Sequence, residues 1–236
     1  MADVAGADGA PGGWAVVFLQ QGRFTVQKVR NLSEVFDSSS PPKILAVDIP
    51  IGLLDVYETG GRGCDREARR FLGPKRRSSV FPAPVRPVLK ASSYAEACAA
   101  SRVSARHGKK ISKQTWAIVP KIREIDDLLR ARPVLQEIVH EVHPEVCFCE
   151  LAGRPMSCPK GSREGQVERR QALRQSFGNL DEIVERGRKE QRLATEDILD
   201  AVVACWSAVR LADRKGRSLV EPAPRDSAGL PMTIWA

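Results

Sequence analysis

ILAVDIPIGLL, residues 44–54, is the stretch that decides the fold. ILAV is a continuous apolar run of the kind found in strands buried on both faces, the habit of parallel strands in α/β proteins. Pro50 and Gly52 stop the run, which leaves Asp48 at the C-terminal end of the strand. Open α/β sheets place their sites beyond the carboxyl ends of their strands. An acid whose neighbours predict burial also needs a reason to be there, because an unpaired buried charge is costly.

On the N-terminal side, VAGADGAPGGWAVVFL (4–19) reads as a short strand, a turn holding Gly9, Pro11, Gly12 and Gly13, and a second strand. RFTVQKV (23–29) alternates apolar and polar residues as a half-buried strand does, and Gln20-Gln21-Gly22 is short enough for a hairpin. The chain is therefore expected to open with a three-stranded meander. Asn31 to Phe36 should add one helical turn capped by Ser33, before a loop through SSSPPK.

On the C-terminal side, residues 63–72 read as a helix, and the four prolines of PKRRSSVFPAPVRPVL (74–89) predict a long loop. Helices are expected over 93–106 and 120–132, and a strand from Val134 to Val142. Pro144 suits the opening of the next helix, Glu145 its first turn and Gly153 its stop. A loop over 154–163 and exposed helices over 164–176 and 180–192 should follow. TEDILDAVVACWSAVRLA (195–212) is the strongest helix, with Thr195 as its expected N-cap, and MTIW near the C-terminus suggests a small last strand. Neither a repeat nor a long linker interrupts this order, so a single domain is the economical expectation.

The 236 residues are 42% apolar and 28% charged, an ordinary balance for a soluble globular protein. No apolar run approaches the ~18 residues that span a bilayer, and the N-terminus has no basic region followed by an apolar stretch; a cytoplasmic protein with no membrane partner is expected. The six cysteines (64, 98, 147, 149, 158 and 205) include no CxxC pair, and there are only three histidines. Structural zinc is therefore not expected, and thiols kept reduced are the simpler reading. The net charge of +8 is compatible with a polyanionic partner. Arg62, Arg66, Arg69, Arg70, Lys75, Arg76 and Arg77 are interrupted only by Asp65 and Glu67, and Arg102, Arg106, Lys109, Lys110 and Lys113 by no acid at all. Each group reads equally as a polyanion contact or as a solvated helix face.

Four acids stand out. Two-metal phosphoryl chemistry gathers carboxylates around cations roughly 3.5–4 Å apart, and hard cations such as magnesium prefer oxygen ligands. Asp8 is expected at the end of the first strand, entering the glycine turn, where an Asx-type turn role is the alternative. Asp48 ends the buried strand, and turn formation is again the alternative. Asp197 and Asp200 stand three apart, so they share a helix face with Cβ atoms about 5–6 Å apart. Acids in a first helical turn also complement the macrodipole, which explains Asp197 well. Asp200, among Ile198, Leu199, Ala201, Val202 and Val203, is explained less well that way.

GADGAPGGWAVV (6–17), DIPIGL (48–53), RGCDREARRFLG (62–73), RRSSVFPAPVRPVL (76–89), EVHPEVCFCELAG (141–153) and DILDAVVACWSA (197–208) together resemble an uncharacterised family described as predicted RNase H-like nucleases. The resemblance covers nearly the whole chain. More remotely, the order of elements is similar to that of RuvC-type Holliday-junction resolvases, which carry an Asp on the first strand, an acid at the end of the fourth and an Asp pair on the last helix. The resemblance implies an α/β, ribonuclease H-like fold with a mixed five-stranded sheet and helices on both faces. It also implies one domain over 1–236 with an inserted helical and loop segment around 60–132. Asp8, Asp48, Asp197 and Asp200 would then be the catalytic metal ligands, for Mg2+ or Mn2+. The fourth-strand acid, commonly Glu in resolvases, is Asp here.

Around this set, Arg76, Arg77, Ser78 and Ser79 match a family motif in the long loop and are expected to grip substrate. His143 could position water or phosphate, or serve capping and packing; Glu145 lies beside it, near Glu141. Lys160 and Arg163 could hold phosphate oxygens or be solvated loop charges. Trp116 could stack a base or belong to the core. The leading expectation is a metal-dependent nuclease acting on DNA or RNA, and resolvase analogy would suggest a homodimer. The alternatives are a non-catalytic nucleic-acid-binding module of the same fold and a small-molecule phosphohydrolase.

Overall fold

The computed structural model of the chain describes residues 3–104 and 110–236; Arg106 and Lys109 of the second basic group lie outside them. The chain divides into two compact units, Met1–Asp48 with Glu137–Arg217 and Trp235–Ala236, and Ile49–Gln136 with Ser218–Ile234.

The first unit is α/β and holds a mixed five-stranded sheet in the order β3-β2-β1-β4-β5. β1 (Val4–Ala10), β2 (Gly13–Gln20) and β3 (Arg23–Val29) form the expected meander, with β2 antiparallel to both neighbours. β4 (Ile44–Asp48) lies parallel to β1 and ends on Asp48, as its apolar run predicts. The first turn is tighter than its glycines suggest. Gly9 and Ala10 stay in β1, paired with Trp14 and Gly13, so only Pro11 and Gly12 turn the chain. Gly12 takes the positive φ, 71°, that a two-residue hairpin loop demands. Asp8 therefore stands inside β1 and not at its end.

β5 is also shorter than expected, Val139–Glu141, parallel to β4. Pro133 starts a 3-10 turn through Glu137 in place of the strand's first half, because its fixed φ suits a helical start and it has no N–H for a ladder. Near the C-terminus, Trp235 makes one isolated parallel bridge to Val142 and no strand forms.

The helices of this unit are α1 (Ser33–Phe36), α5 (Pro144–Ala152), α6 (Arg163–Arg174), α7 (Leu180–Lys189) and α8 (Thr195–Ala212). The caps of α1 and α8 fall one residue earlier than expected, on Leu32 and on Ala194, neither of which makes a side-chain cap bond. Glu196 and Asp197 in the first turn of α8 complement its dipole instead. Gly153, at φ 67°, ends α5 as predicted.

α8 packs onto β1 almost backbone to backbone. A Cβ on Gly6 would stand 2.0 Å from the Cys205 nitrogen and 2.4 Å from the Ala201 oxygen. Side chains alternate across a strand, so Asp8, two residues on, faces the same side as Gly6. That side carries the core: Val4, Ala15, Val17, Leu19, Val26 and Ala46 from the sheet against Ile198, Leu199, Val202 and Cys205 of α8 and Ile183 and Val184 of α7. Each large side chain so buried contributes about 1.5–3 kcal/mol.

In the second unit, α2 (Gly63–Arg76) breaks at Gly73, φ 68°, and Pro74 begins a last turn, so residues 74–76 are helical where a loop was expected. Further 3-10 turns cover Arg77–Ser79 and Arg86–Lys90. α3 is Tyr94–Val103, and α4 (Lys113–Ala131) starts seven residues before Pro120. Ser112 caps it by accepting the Thr115 N–H at 2.9 Å, and Thr115, Val119 and Ile122 give the early turns a buried face. Much of the first basic group is structural: buried Arg62 pairs with Asp65 at 2.7 Å and donates to the Ile51 and Gly52 carbonyls, and Arg69 donates to the Val80 carbonyl. Among the described residues no helix is long and apolar enough to cross a membrane.

Candidate functional site

Parallel pairing sets Asp8 directly opposite Asp48. Neighbouring strands lie about 4.8 Å apart, and residues in register face the same side, so two carboxylates stand together on the α8 face near the carboxyl end of β4. α8 supplies the third. Asp200 is 1% exposed and faces this cluster because Gly6 lets the helix backbone lie on β1. Asp197, one turn earlier, also acts electrostatically on Asp8.

The acids repel one another where water cannot screen them. Burial, then Asp48 and Asp200, holds the Asp8 carboxyl well above the usual carboxylate range. Burial likewise raises Asp48, while His143, Lys160 and a hydrogen bond with Asp8 pull it back. Burial raises Asp200 to about 6, even with Lys160 opposing it. Asp8 Oδ1 also accepts the Gly9 N–H at 2.7 Å.

One cation enters the cluster. Lys160 Nζ donates to Asp200 Oδ2 at 2.9 Å, and Asp200, helped by Asp8 and Asp48, raises its ammonium above the ordinary lysine value. Lys160 sits in the 154–162 loop, which α6 holds in place. Glu168 accepts the Ser157 N–H at 2.9 Å and the Cys158 N–H at 3.0 Å, and Arg154 pairs with it at 2.8 Å. Arg169, 1% exposed, pairs with Glu145 at the start of α5, donates to the Cys158 carbonyl at 3.2 Å and lies over the Phe148 ring. A buried pair of this kind fixes the loop to α5 and α6.

The predicted residues of the first unit therefore converge: Asp8, Asp48, Asp197, Asp200, Lys160, and His143, the N-cap residue of α5. Glu145 lies next to them but is tied to Arg169. Arg76, Arg77, Ser78 and Ser79 belong to the second unit, at the end of α2 and in the turn after it, with Arg77 and Ser78 exposed. Trp116 is half-buried in α4, its ring 6.4 Å from Tyr94, and Arg163 opens α6. Sequence reasoning passed over Arg169, Glu168 and Gly6. The i, i+4 spacing of Gly165, Arg169 and Leu173, all buried, was the available sign that one stripe of this charged helix turns inward.

Among the described residues no three His, Cys, Asp or Glu side chains stand ready as ligands of one metal ion. The donor set still suits a hard divalent cation. Its groups are carboxylate oxygens that repel one another, and Mg2+ is ordinarily held by one or two carboxylates, with waters and substrate phosphates completing its shell. Asp8 and Asp48 would hold such an ion, with Asp200 joining when Lys160 gives way.

A family model described as "Protein of unknown function (DUF429)" matches residues 6–227. No curated protein and no solved structure matches the chain.

Proposed function

Because the chain belongs to the DUF429 family, whose description leaves the chemistry open, we propose from the carboxylates that it is a metal-dependent nuclease hydrolysing phosphodiesters of DNA or RNA. The observation that carries this reading is the register pairing of Asp8 with Asp48 beneath the buried Asp200. Acids on the first strand, at the end of the fourth and on the last helix support an RNase H-like core and the remote likeness to RuvC-type resolvases.

Mg2+ or Mn2+ held by Asp8, Asp48 and Asp200 would supply Lewis acidity toward phosphoryl oxygens. The chain's own part is positional. β1 and β4 fix Asp8 and Asp48 by backbone pairing, α8 fixes Asp200 from above, and Asp197 adds negative charge at the rim. Lys160 offsets the repulsion while no substrate is bound, and its ammonium is placed to meet a phosphate oxygen when Asp200 turns to a cation. His143 faces Asp48 electrostatically and can order water or a phosphate oxygen there.

The test is incubation with labelled single-stranded, duplex and branched DNA and RNA in Mg2+, Mn2+ or EDTA, alongside Asp48→Asn. Cleavage that needs the metal and disappears in the variant is the expected result. Binding without cleavage under every condition would overturn it in favour of a non-catalytic module. Neither binding nor cleavage would redirect the search to small phosphate esters.

A further inference from the structure

The row of residues that pairs Asp8 with Asp48 continues across the sheet in the other direction. Asp8 is the register partner of Ala15 on β2, and Ala15 is the partner of Lys28 on β3. Residues in one row face one side of a sheet, so Lys28, Ala15, Asp8 and Asp48 line the α8 face from edge to centre. Val26, two residues before Lys28, confirms the side, because it packs in the core beneath α7 and α8. Two strand spacings put the Lys28 backbone about 10 Å from that of Asp8, the rise of about three nucleotides of a B-form strand.

Lys28 does not stand alone. It lines a surface hollow of about 400 Å3 with Gly12, Arg30, Glu190, Gln191 and Arg192. Gln191 Oε1 accepts the Lys28 backbone N–H at 3.1 Å, which ties the α7–α8 connection to the edge of β3. Arg192 adopts φ 55°, a left-handed backbone that a non-glycine residue seldom takes, and the Leu193 N–H closes onto the Gly187 carbonyl at 3.0 Å beside it. Arg192 also lines a neighbouring hollow of about 540 Å3 with Arg170, Arg188 and Lys189. Within the first hollow three cations face one acid, and Glu190 already lies 3.5 Å from Arg186. Lys28, Arg30 and Arg192 form no ion pair with any described residue, unlike Arg170 and Lys189, which pair with Asp181 and Glu185. Unpaired cations gathered in one hollow suit the oxygens of a phosphodiester backbone.

We propose that Lys28, Arg30 and Arg192 form a phosphate-binding subsite that holds the nucleic-acid backbone on the β3 side of the carboxylates, setting the direction in which a strand crosses them. This rests on the nuclease reading for its substrate but makes a separate claim about where that substrate lies. Contacts of this kind carry no base information, so the subsite acts on DNA or RNA without sequence preference and is salt-sensitive.

The test is fluorescence anisotropy with a labelled single-stranded oligonucleotide in EDTA, where binding is read without cleavage, over a range of salt concentrations. Lys28→Ala/Arg192→Ala is compared with Arg23→Ala/Lys43→Ala, which removes the same charge from the opposite end of the strands. Each lost phosphate contact lowers the slope of log K against log salt by about 0.7. The first variant should therefore lose about 1.4 of slope and about tenfold or more in affinity, with the control close to wild type. Equal losses in both variants, or no loss in either, would overturn the subsite. Metal-dependent cleavage that persists with unchanged binding in the first variant would overturn it while leaving the nuclease reading intact. A wild-type protein that binds no oligonucleotide would overturn both.

Discussion

Gly6→Ala should destabilise the packing of α8 on the sheet. The new Cβ would stand 2.0 Å from the Cys205 nitrogen, 2.4 Å from the Ala201 oxygen and 2.6 Å from the Ala204 carbonyl carbon. All three are backbone atoms of α8, so no side chain can swing aside. Reaching even 3.4 Å, where ordinary contact begins, needs about 1.4 Å more separation of α8 from β1. Overpacking a core costs about 1–3 kcal/mol, occasionally more, and a helix lifted off the central strand belongs at the upper end. About 3 kcal/mol lowers Tm by roughly 6–12 °C in a chain of this size. Because Asp200 rides on α8 and Asp8 on β1, the same shift separates the two carboxylates, and the proposed metal-dependent cleavage should fall even at temperatures where the variant remains folded. Thermal unfolding followed by circular dichroism reads the first effect. A Gly6→Ala protein within 2 °C of wild type would show that α8 does not lie on β1 as described, and the placement of Asp200 would fall with it.

Asp200 should leave a signature in the pH dependence of stability. Its carboxyl, raised from 3.8 to about 6 first by burial, keeps a proton in the folded state that the unfolded chain has already released. Stability from this group is therefore full below pH 4 and falls as the pH rises to about 6. Relative to Asp200→Asn, which does not titrate, the wild type should lose about 3 kcal/mol across that window, measured by urea unfolding at pH 4, 5, 6 and 7; parallel curves would contradict the assignment. Arg169→Met should cost about 3–5 kcal/mol by removing the buried cation paired with the Glu145 carboxylate, and limited proteolysis should then cut the 154–162 loop faster; unchanged cleavage would mean Arg169 does not hold that loop. Glu168 works in the opposite pH sense. Burial raises its carboxyl, but the Cys158 and Ser157 N–H groups and Arg154 outweigh it and hold it at about 2. Its contribution is thus present above pH 4.5 and lost as the pH falls toward 2, and Glu168→Gln should flatten that acid limb of the unfolding curve.

What the sequence disclosed and what it hid divide along physical lines. ILAVD betrayed β4 because a strand buried on both faces has to be apolar throughout, and Asp48 was conspicuous for breaking that rule. The meander was legible from its turn residues, but not the extent of β1. Whether Gly9 turns or pairs depends on Trp14 across the hairpin, a non-local fact. The strand read into 134–142 failed for a similar reason: its apolar residues are shared between a 3-10 turn that Pro133 nucleates and a strand only three residues long. Asp200 is visible as an acid among apolar residues and Lys160 as a loop cation able to hold a phosphate oxygen, but nothing local pairs the two across forty residues. The clamp that presents Lys160 lies in Glu168 and Arg169, adjacent charges on a helix dominated by charge, and only packing distinguishes them from Arg170. The basic run from Arg62 misled in the opposite direction, since several of its members serve carbonyls of their own unit.

The proposed nuclease activity depends on a divalent-cation centre at Asp8, Asp48 and Asp200. Titrating Mn2+ into the protein at pH 7.5 and counting the free ion by electron paramagnetic resonance tests it without depending on substrate or turnover. The wild type should take Mn2+ out of solution, Asp48→Asn and Asp8→Asn should each abolish this uptake, and added Mg2+ should compete for it. Mn2+ that stays free in the presence of wild-type protein, or uptake that survives both substitutions, would contradict it.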